Sequence, residues 1–300
     1  MIKINISFYF FLIYFYNCAN IYTVANMSKK WLKNKTVVIS GASGGLGFSI
    51  AKYLIEKFDC KIIGIARNEK KILSAIETLG DKKRNFTYKL FDVSVKENWL
   101  NFYNDLQNKN VAIDVLINNA GFMLPFKKFE KYSNDEIDEI IKTDFSSVIY
   151  ATKTLLPLIK NSTTPAVVNV SSAAGLCAVA GESLYCATKF GVRGFTETLQ
   201  QDYRKQIYIG GVYPGFIKTD ILSRQIKDAK NDKVVGKFMM PLEKATKKIV
   251  KGIAKKKKRI IFGYQARFMS FFGRIFPKLT PTLISKVFKL SNMDIFNEVF

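Results

Sequence analysis

Tyr185-Cys186-Ala187-Thr188-Lys189 sets a phenol and an ammonium four residues apart. On a helix, positions i and i+4 share one face, one turn apart. A lysine cation beside a tyrosine favours the phenolate and lowers its pKa from about 10 towards working pH, so the pair can give and take a proton. Thirteen residues before Tyr185, the run Val167-Val168-Asn169-Val170 ends in two hydroxyls, Ser171 and Ser172. Other chemistries drop out by composition. The chain has no histidine, which removes a Ser-His-Asp triad, a histidine base and histidine-ligated zinc. Its four cysteines (Cys18, Cys60, Cys177, Cys186) form no C-x-x-C pair and are too few for a disulfide scaffold, which fits a reducing compartment. In a lysine-rich chain a Tyr-x-x-x-Lys arises readily by chance, so its weight depends on what surrounds it.

What surrounds it is an alternation of strands and helices. Thr36-Val37-Val38-Ile39 is β-branched, Ser40-Gly41-Ala42-Ser43-Gly44-Gly45-Leu46-Gly47 follows, and residues 48–58 have helical spacing. Glycine serves where the backbone must turn with positive φ or approach a pyrophosphate, and a helix N-terminus presents free N–H groups to phosphates. A loop of this kind between a strand and a helix predicts a dinucleotide site. Further strands are expected at 60–66, 86–91, 111–118, 166–171, 207–213 and 259–262. The pattern predicts an α/β fold: a doubly wound parallel sheet (Rossmann fold) of about seven strands with helices on both faces. At the end of the second strand, Ile65-Ala66-Arg67-Asn68 carries no acid to accept from a ribose 2′-hydroxyl. Arg67 can pair with a 2′-phosphate, so NADP(H) is favoured over NAD(H).

The G-x-x-x-G-x-G spacing of Gly41, Gly45 and Gly47, with Asn118-Asn119-Ala120-Gly121, Tyr185-x-x-x-Lys189 and Pro214-Gly215-Phe216-Ile217-Lys218-Thr219, resembles the short-chain dehydrogenase/reductase family, in its single-domain branch. The resemblance spans about residues 33–265 and implies specific roles. Ser172, rather than Ser171, would hydrogen-bond the substrate oxygen, and Tyr185 would transfer the proton. Lys189 would lower the tyrosine pKa and hold the nicotinamide ribose, while the cofactor carries the hydride. Gly41, Ser43, Gly45, Leu46 and Gly47 would cradle the cofactor, with Asn118, Ala120 and Gly121 beside it. Asp92 and Val93 would contact the adenine, although Asp92 also reads as the N-cap of the next helix. Pro214, Gly215 and Thr219 would fix the carboxamide. One position departs from the family: where an asparagine usually holds a water leading to the lysine, this chain has Asp144. An aspartate can accept from that water and adds negative charge near Lys189.

Ser172, Tyr185, Leu176 and Phe216 are the expected substrate contacts, with Cys177, Phe122 and Met123 at the border of the cleft and a variable lid over 216–240 ending in Phe238-Met239-Met240. Their apolar character points to a lipophilic carbonyl compound or alcohol. The expected activity is NADP(H)-dependent interconversion of a ketone or aldehyde and its alcohol. Alternatives are reduction of a β-ketoacyl thioester, oxidation of a steroid-like or retinol-like alcohol, and a non-catalytic NADP(H)-binding sensor or scaffold. No metal is implied, and a homo-oligomer is expected.

The chain divides into a hydrophobic segment (1–26), a cofactor-binding domain (27–265) and a basic extension (266–300). Residues 4–25 carry no charge, long enough for a membrane helix whose flanking lysines would leave the remainder in the cytoplasm. Met27-Ser28-Lys29-Lys30 also reads as the true start of translation, and a cleaved signal is a weaker alternative. The net charge is +23 in a composition typical of AT-rich coding, and residues 241–300 hold 14 Lys and Arg against three acids. Phe268, Phe271, Phe272, Ile275 and Phe276 form one helical stripe, and Leu283, Ile284, Val287 and Phe288 another. With the basic run 255–259 they admit peripheral membrane contact through 255–290; closure over the substrate cleft and a subunit interface are the other uses of such helices. Nucleic acid is not expected, because no reading motif accompanies the charge.

Overall fold

The computed structural model describes residues 30–219, 239–291 and 293–300. The hydrophobic segment 1–26, the alternative start at Met27 and most of the expected lid, Phe238 included, lie outside the described residues.

Seven strands form one parallel sheet in the order β3-β2-β1-β4-β5-β6-β7. They are β1 (Thr36–Ser40), β2 (Lys61–Ala66), β3 (Phe86–Leu90), β4 (Val115–Asn118), β5 (Ala166–Val170), β6 (Tyr208–Pro214) and β7 (Arg259–Phe262). β-branched runs buried on both faces are what an all-parallel sheet requires. In β1, Val37 and Ile39 enter the apolar layer on one face, while Val38 enters the layer on the other. The first layer is closed by α1 (Gly45–Phe58), α2 (Glu69–Glu77) and α7 (Leu242–Ala254). The second is closed by α3 (Lys96–Asn108), α5 (Ser147–Lys160) and α6 (Ser183–Asp202), around the fully buried Trp99. The strand order reverses between β1 and β4, so the helices that follow them diverge and leave a crevice at the carboxyl ends of those strands.

α4 (Asn134–Ile141) opens with a reciprocal capping box between Ser133 and Glu136. It runs through a π-turn, Lys142–Ser146, into α5. That widened turn seats Thr143 and Asp144 in the interior, Asp144 with no exposure at all. The fourth strand begins at Val115, later than the expected 111. Asp114 ends the preceding loop by accepting the Thr36 N–H at 3.0 Å and pairing with Lys35 at 3.3 Å.

The extension is integral to the body of the protein. α8 (Tyr264–Ile275) already starts before residue 266, and its Ala266 and Met269 are buried with Tyr213 and Leu176. After α9 (Leu279–Leu290), Phe296 and Val299 return to pack with Phe126. The predicted stripe on α8 is largely turned outward, with Phe271 60% exposed and Ile275 52%, while Ala266 and Met269 face the body.

Candidate active site

The crevice begins at the glycine loop. Ser40 Oγ, at the end of β1, accepts the N–H groups of Asn119 (2.9 Å) and Ala120 (3.0 Å), and Asn119 Nδ2 donates to the Ser40 carbonyl at 3.0 Å. These bonds brace the loop against the end of β4. A side chain at Gly47 would strike the Gly41 carbonyl and Asn119 Nδ2, so only glycine lets α1 start this close. The resulting cradle, open at the N-terminus of α1, suits a pyrophosphate.

Beyond the end of β2, Arg67, Lys71, Asp92 and Val93 line a recess continuous with the cradle. Arg67 is 63% exposed and reaches Asp92 only at 3.5 Å. Asp92 is not a helix cap. Its Oδ1 accepts from the Ser94 N–H (2.9 Å) and hydroxyl (2.7 Å), whereas Val95 precedes α3. Burial works upward on the Asp92 carboxyl, but the Ser94 bonds and the Arg67 charge outweigh it and hold the group below the usual carboxylate range.

At the other end of the cleft, Ser172, Tyr185, Lys189 and Asp144 meet. Two adjacent hydroxyls end β5, and the structure separates their tasks. Ser171 Oγ donates to the Lys189 carbonyl at 2.9 Å, while Ser172 Oγ accepts the Ala174 N–H at 3.2 Å and is hydrogen-bonded to Tyr185. On α6, Lys189 Nζ lies 5.3 Å from the centre of the Tyr185 ring. Asp144 differs from expectation. Its Oδ2 reaches Lys189 Nζ directly at 2.8 Å, which leaves no room for a water between them, and its Oδ1 accepts the Phe122 N–H at 2.9 Å. Gly121 makes this approach feasible, since a Cβ there would lie 2.9 Å from Asp144 Oδ2 and 3.2 Å from Lys189 Nζ.

The electrostatics follow from burial. Loss of water alone would pull Lys189 down, but the Asp144 and Tyr185 oxygens outweigh it and hold the ammonium above the ordinary lysine range. Burial pushes the Tyr185 phenol up to about 12; Lys189 and the Ser172 bond pull down, and the charges of Asp144 and Glu182 push up. Asp144 therefore spends part of the lysine's field that would otherwise act on the phenol.

Two expected contacts lie elsewhere. Asn118 is 2% exposed and donates to Thr152 Oγ1 (3.0 Å) and Asn169 Oδ1 (2.8 Å), tying β4 to β5 and α5 instead of meeting a cofactor. Strand alternation turns its side chain inward, and the next residue, Asn119, faces the cleft. Leu176, with Cys177, lies beneath α8 against Ala173 and Met269, because the short turn Ala173–Gly175 carries the chain down below the cleft wall. Phe216, Phe122, Met123, Pro214, Gly215 and Thr219 do line the cleft. Its volume is about 990 Å³, and its outer wall comes from Phe268, Met269, Leu283, Ile284, Val287 and Phe288 of the two C-terminal helices. Lys71 and Glu182 also line it without having been anticipated. A second cation one turn beyond Arg67, and an acid three residues before Tyr185 in an apolar segment, were the available signals.

A short chain dehydrogenase family model matches residues 35–230. A putative oxidoreductase, SadH, of Mycobacterium tuberculosis is 31% identical over 259 residues, covering 81% of this chain and 91% of its own. The 3-oxoacyl-[acyl-carrier-protein] reductase FabG of Chlamydia trachomatis is 32% identical over 216 residues, 68% of this chain and 83% of its own. Among solved structures, a short-chain dehydrogenase from Streptomyces avermitilis shares the fold at a TM-score of 0.70 and 23% identity, covering 85% of this chain and 97% of its own. The chain belongs to the short-chain dehydrogenase/reductase family, and is an NAD(P)-dependent oxidoreductase acting on CH–OH groups.

The buried charge pair makes a stability prediction. Lys189→Met leaves Asp144 without its counter-charge and is expected to cost about 3–5 kcal/mol in urea denaturation. Lys189→Met with Asp144→Leu is expected to recover most of that loss. A single-variant loss below about 1 kcal/mol would contradict a charged, buried pair.

Proposed function

We propose that the protein is an NADP(H)-dependent oxidoreductase that interconverts a lipophilic ketone or aldehyde and the corresponding alcohol. The observation that carries this reading is a single cleft with Ser172, Tyr185 and Lys189 on an apolar substrate arm at one end and Arg67 with Lys71 at the other. NADP(H), when bound, supplies or accepts the hydride at the substrate carbon. In the reducing direction Ser172 donates a hydrogen bond to the carbonyl oxygen and fixes its position. Tyr185 gives its phenolic proton to that oxygen as negative charge develops there. Lys189 keeps the resulting phenolate tolerable and offers N–H donors to the ribose hydroxyls, while Asp144 holds Lys189 in place at 2.8 Å. In the oxidising direction the same groups run in reverse, with the Tyr185 phenolate as base. Arg67 and Lys71 favour a 2′-phosphate, since two cations line the recess beyond β2 and Ile65-Ala66-Arg67-Asn68 carries no acid at the strand end.

The FabG relatives favour a second substrate, a β-ketoacyl thioester. The basic run Lys255-Lys256-Lys257-Lys258-Arg259 would complement an acidic acyl carrier. The same C-terminal region supports contact with an anionic membrane by a cytoplasmic enzyme. Phe271, Ile275, Leu279, Leu283 and Val287 are all more than half exposed, and residues 266–290 carry Arg267, Arg274, Lys278, Lys286 and Lys289 with no acid. Assembly with copies of itself rests on the family alone.

Oxidation of NADPH and NADH, followed with ketones, aldehydes and β-ketoacyl thioesters, tests the enzyme reading. NADPH is expected to support turnover at least about tenfold better than NADH, with the difference lost in Arg67→Ala. Tyr185→Phe is expected to abolish turnover and retain NADPH binding. Full cellular function in Tyr185→Phe would instead favour a cofactor-binding sensor. In flotation with phosphatidylserine vesicles, the wild type is expected to bind at low salt, and Phe271→Ser with Ile275→Ser to bind less. Absence of binding by the wild type would contradict the membrane contact.

A further inference from the structure

Glu182 is the residue whose position asks for a ligand. It precedes α6 directly and lies three residues before Tyr185, on a chain turned by Gly181 at a φ of +82°. It is 5% exposed, and its Oε1 has no hydrogen-bond partner among the described residues. An acid at the start of a helix ordinarily caps the free N–H groups there, yet the Glu182 side chain makes no capping bond to α6. Its backbone is satisfied, with the N–H donating to the Val179 carbonyl and the carbonyl accepting from the Cys186 N–H. The carboxyl group alone is left over.

That group lines the same cleft as Phe122, Met123, Phe126, Val179 and Phe288. Among the described residues, the buried polar atoms without a hydrogen bond that border the cleft belong to Asp144 and Glu182 alone, and Asp144 is held in its ion pair. Leaving a carboxyl group buried and unpartnered costs more than replacing it with an apolar side chain, so packing does not account for it. Burial pushes its pKa up to about 8, so near neutrality it is mainly the uncharged acid. A neutral carboxyl group both donates and accepts one hydrogen bond, and its match is a hydroxyl group rather than an anion.

We propose that Glu182 is a specificity-determining residue whose carboxyl group hydrogen-bonds a hydroxyl on the substrate close to the reacting carbon, within an arm that is otherwise apolar. The substrate class is then a lipophilic hydroxyketone or hydroxyaldehyde and the matching diol. This rests on the lipophilic carbonyl–alcohol reading above and refines it. The placement near the reacting carbon follows from the position of Glu182 directly before α6, three residues from Tyr185, with both side chains lining the one cleft.

Calorimetric titration of the full chain, saturated with NADP+, tests it without requiring turnover. The ligands are 2-octanol and the octane-2,3-, 2,4- and 2,6-diols. At least one diol is expected to bind about tenfold tighter than 2-octanol, the worth of one buried hydrogen bond. Glu182→Leu is expected to lose that preference while binding 2-octanol as the wild type does, and Glu182→Gln, which keeps a donor and an acceptor, to retain much of it. Equal binding of diols and 2-octanol by the wild type, or a preference that survives in Glu182→Leu, overturns the role of Glu182 and leaves the lipophilic reading standing. Binding of none of the four ligands overturns the lipophilic arm and the proposal with it.

Discussion

The ion pair between Asp144 and Lys189 joins three parts of the chain that have no local reason to meet. Asp144 comes from a π-turn between α4 and α5, Lys189 from the middle of α6, and the Phe122 N–H from the loop after β4. Two charges removed from water must hold each other closely, or the desolvation cost goes uncompensated. At 2.8 Å with both side chains almost fully buried, the pair fixes where α6 sits relative to the end of β4. The phenol of Tyr185, one turn back on α6, takes its position from the same constraint. Gly121 is part of it too, because any larger residue would push the two charges apart.

The sheet supplies the remaining geometry. Strand order reverses beside β1, so the glycine loop after β1 and the candidate catalytic side chains after β4 and β5 open onto one crevice. The C-terminal helices then convert an open crevice into an apolar-walled cleft. Ala266 is buried and Gly273 lies against Leu176 and Cys177, which seats α8 on the body, while Phe268, Met269, Ile284 and Phe288 face the cleft. Cleft wall and exposed apolar surface therefore share one pair of helices, and Leu283 and Val287 belong to both.

Much of this was legible in the residues. All seven strands fall in segments expected to be strands, and β1, β2 and β5 are β-branched runs whose burial leaves a plain apolar signature, whereas the edge strand β3, Phe86–Leu90, is mostly not buried. The glycine loop, Tyr185 and Lys189 are legible because function there depends on spacing along the chain. Side-chain direction is less so. Asn118 and Leu176 sit beside the cleft in sequence and point away from it, Asn118 by strand alternation and Leu176 by a short turn. Asp144 could be recognised as a departure, but whether it holds a water or the lysine itself depends on a π-turn that no propensity announces. Glu182 was hidden for a related reason: an acid before a helix reads as a cap, and only the packed structure shows that it caps nothing.

Burial raises the proton affinity of Tyr185, Lys189 lowers it, and the Asp144 charge raises it further. The pH dependence of kcat/KM for alcohol oxidation, compared between wild type and Asp144→Asn, tests the last of these most directly. Oxidation needs the phenolate, and the Asp144 charge raises the phenol pKa while competing for the field of Lys189. Removing that charge should move the acidic limb of the profile to lower pH. An acidic limb that stays in place, or moves to higher pH, would contradict the account.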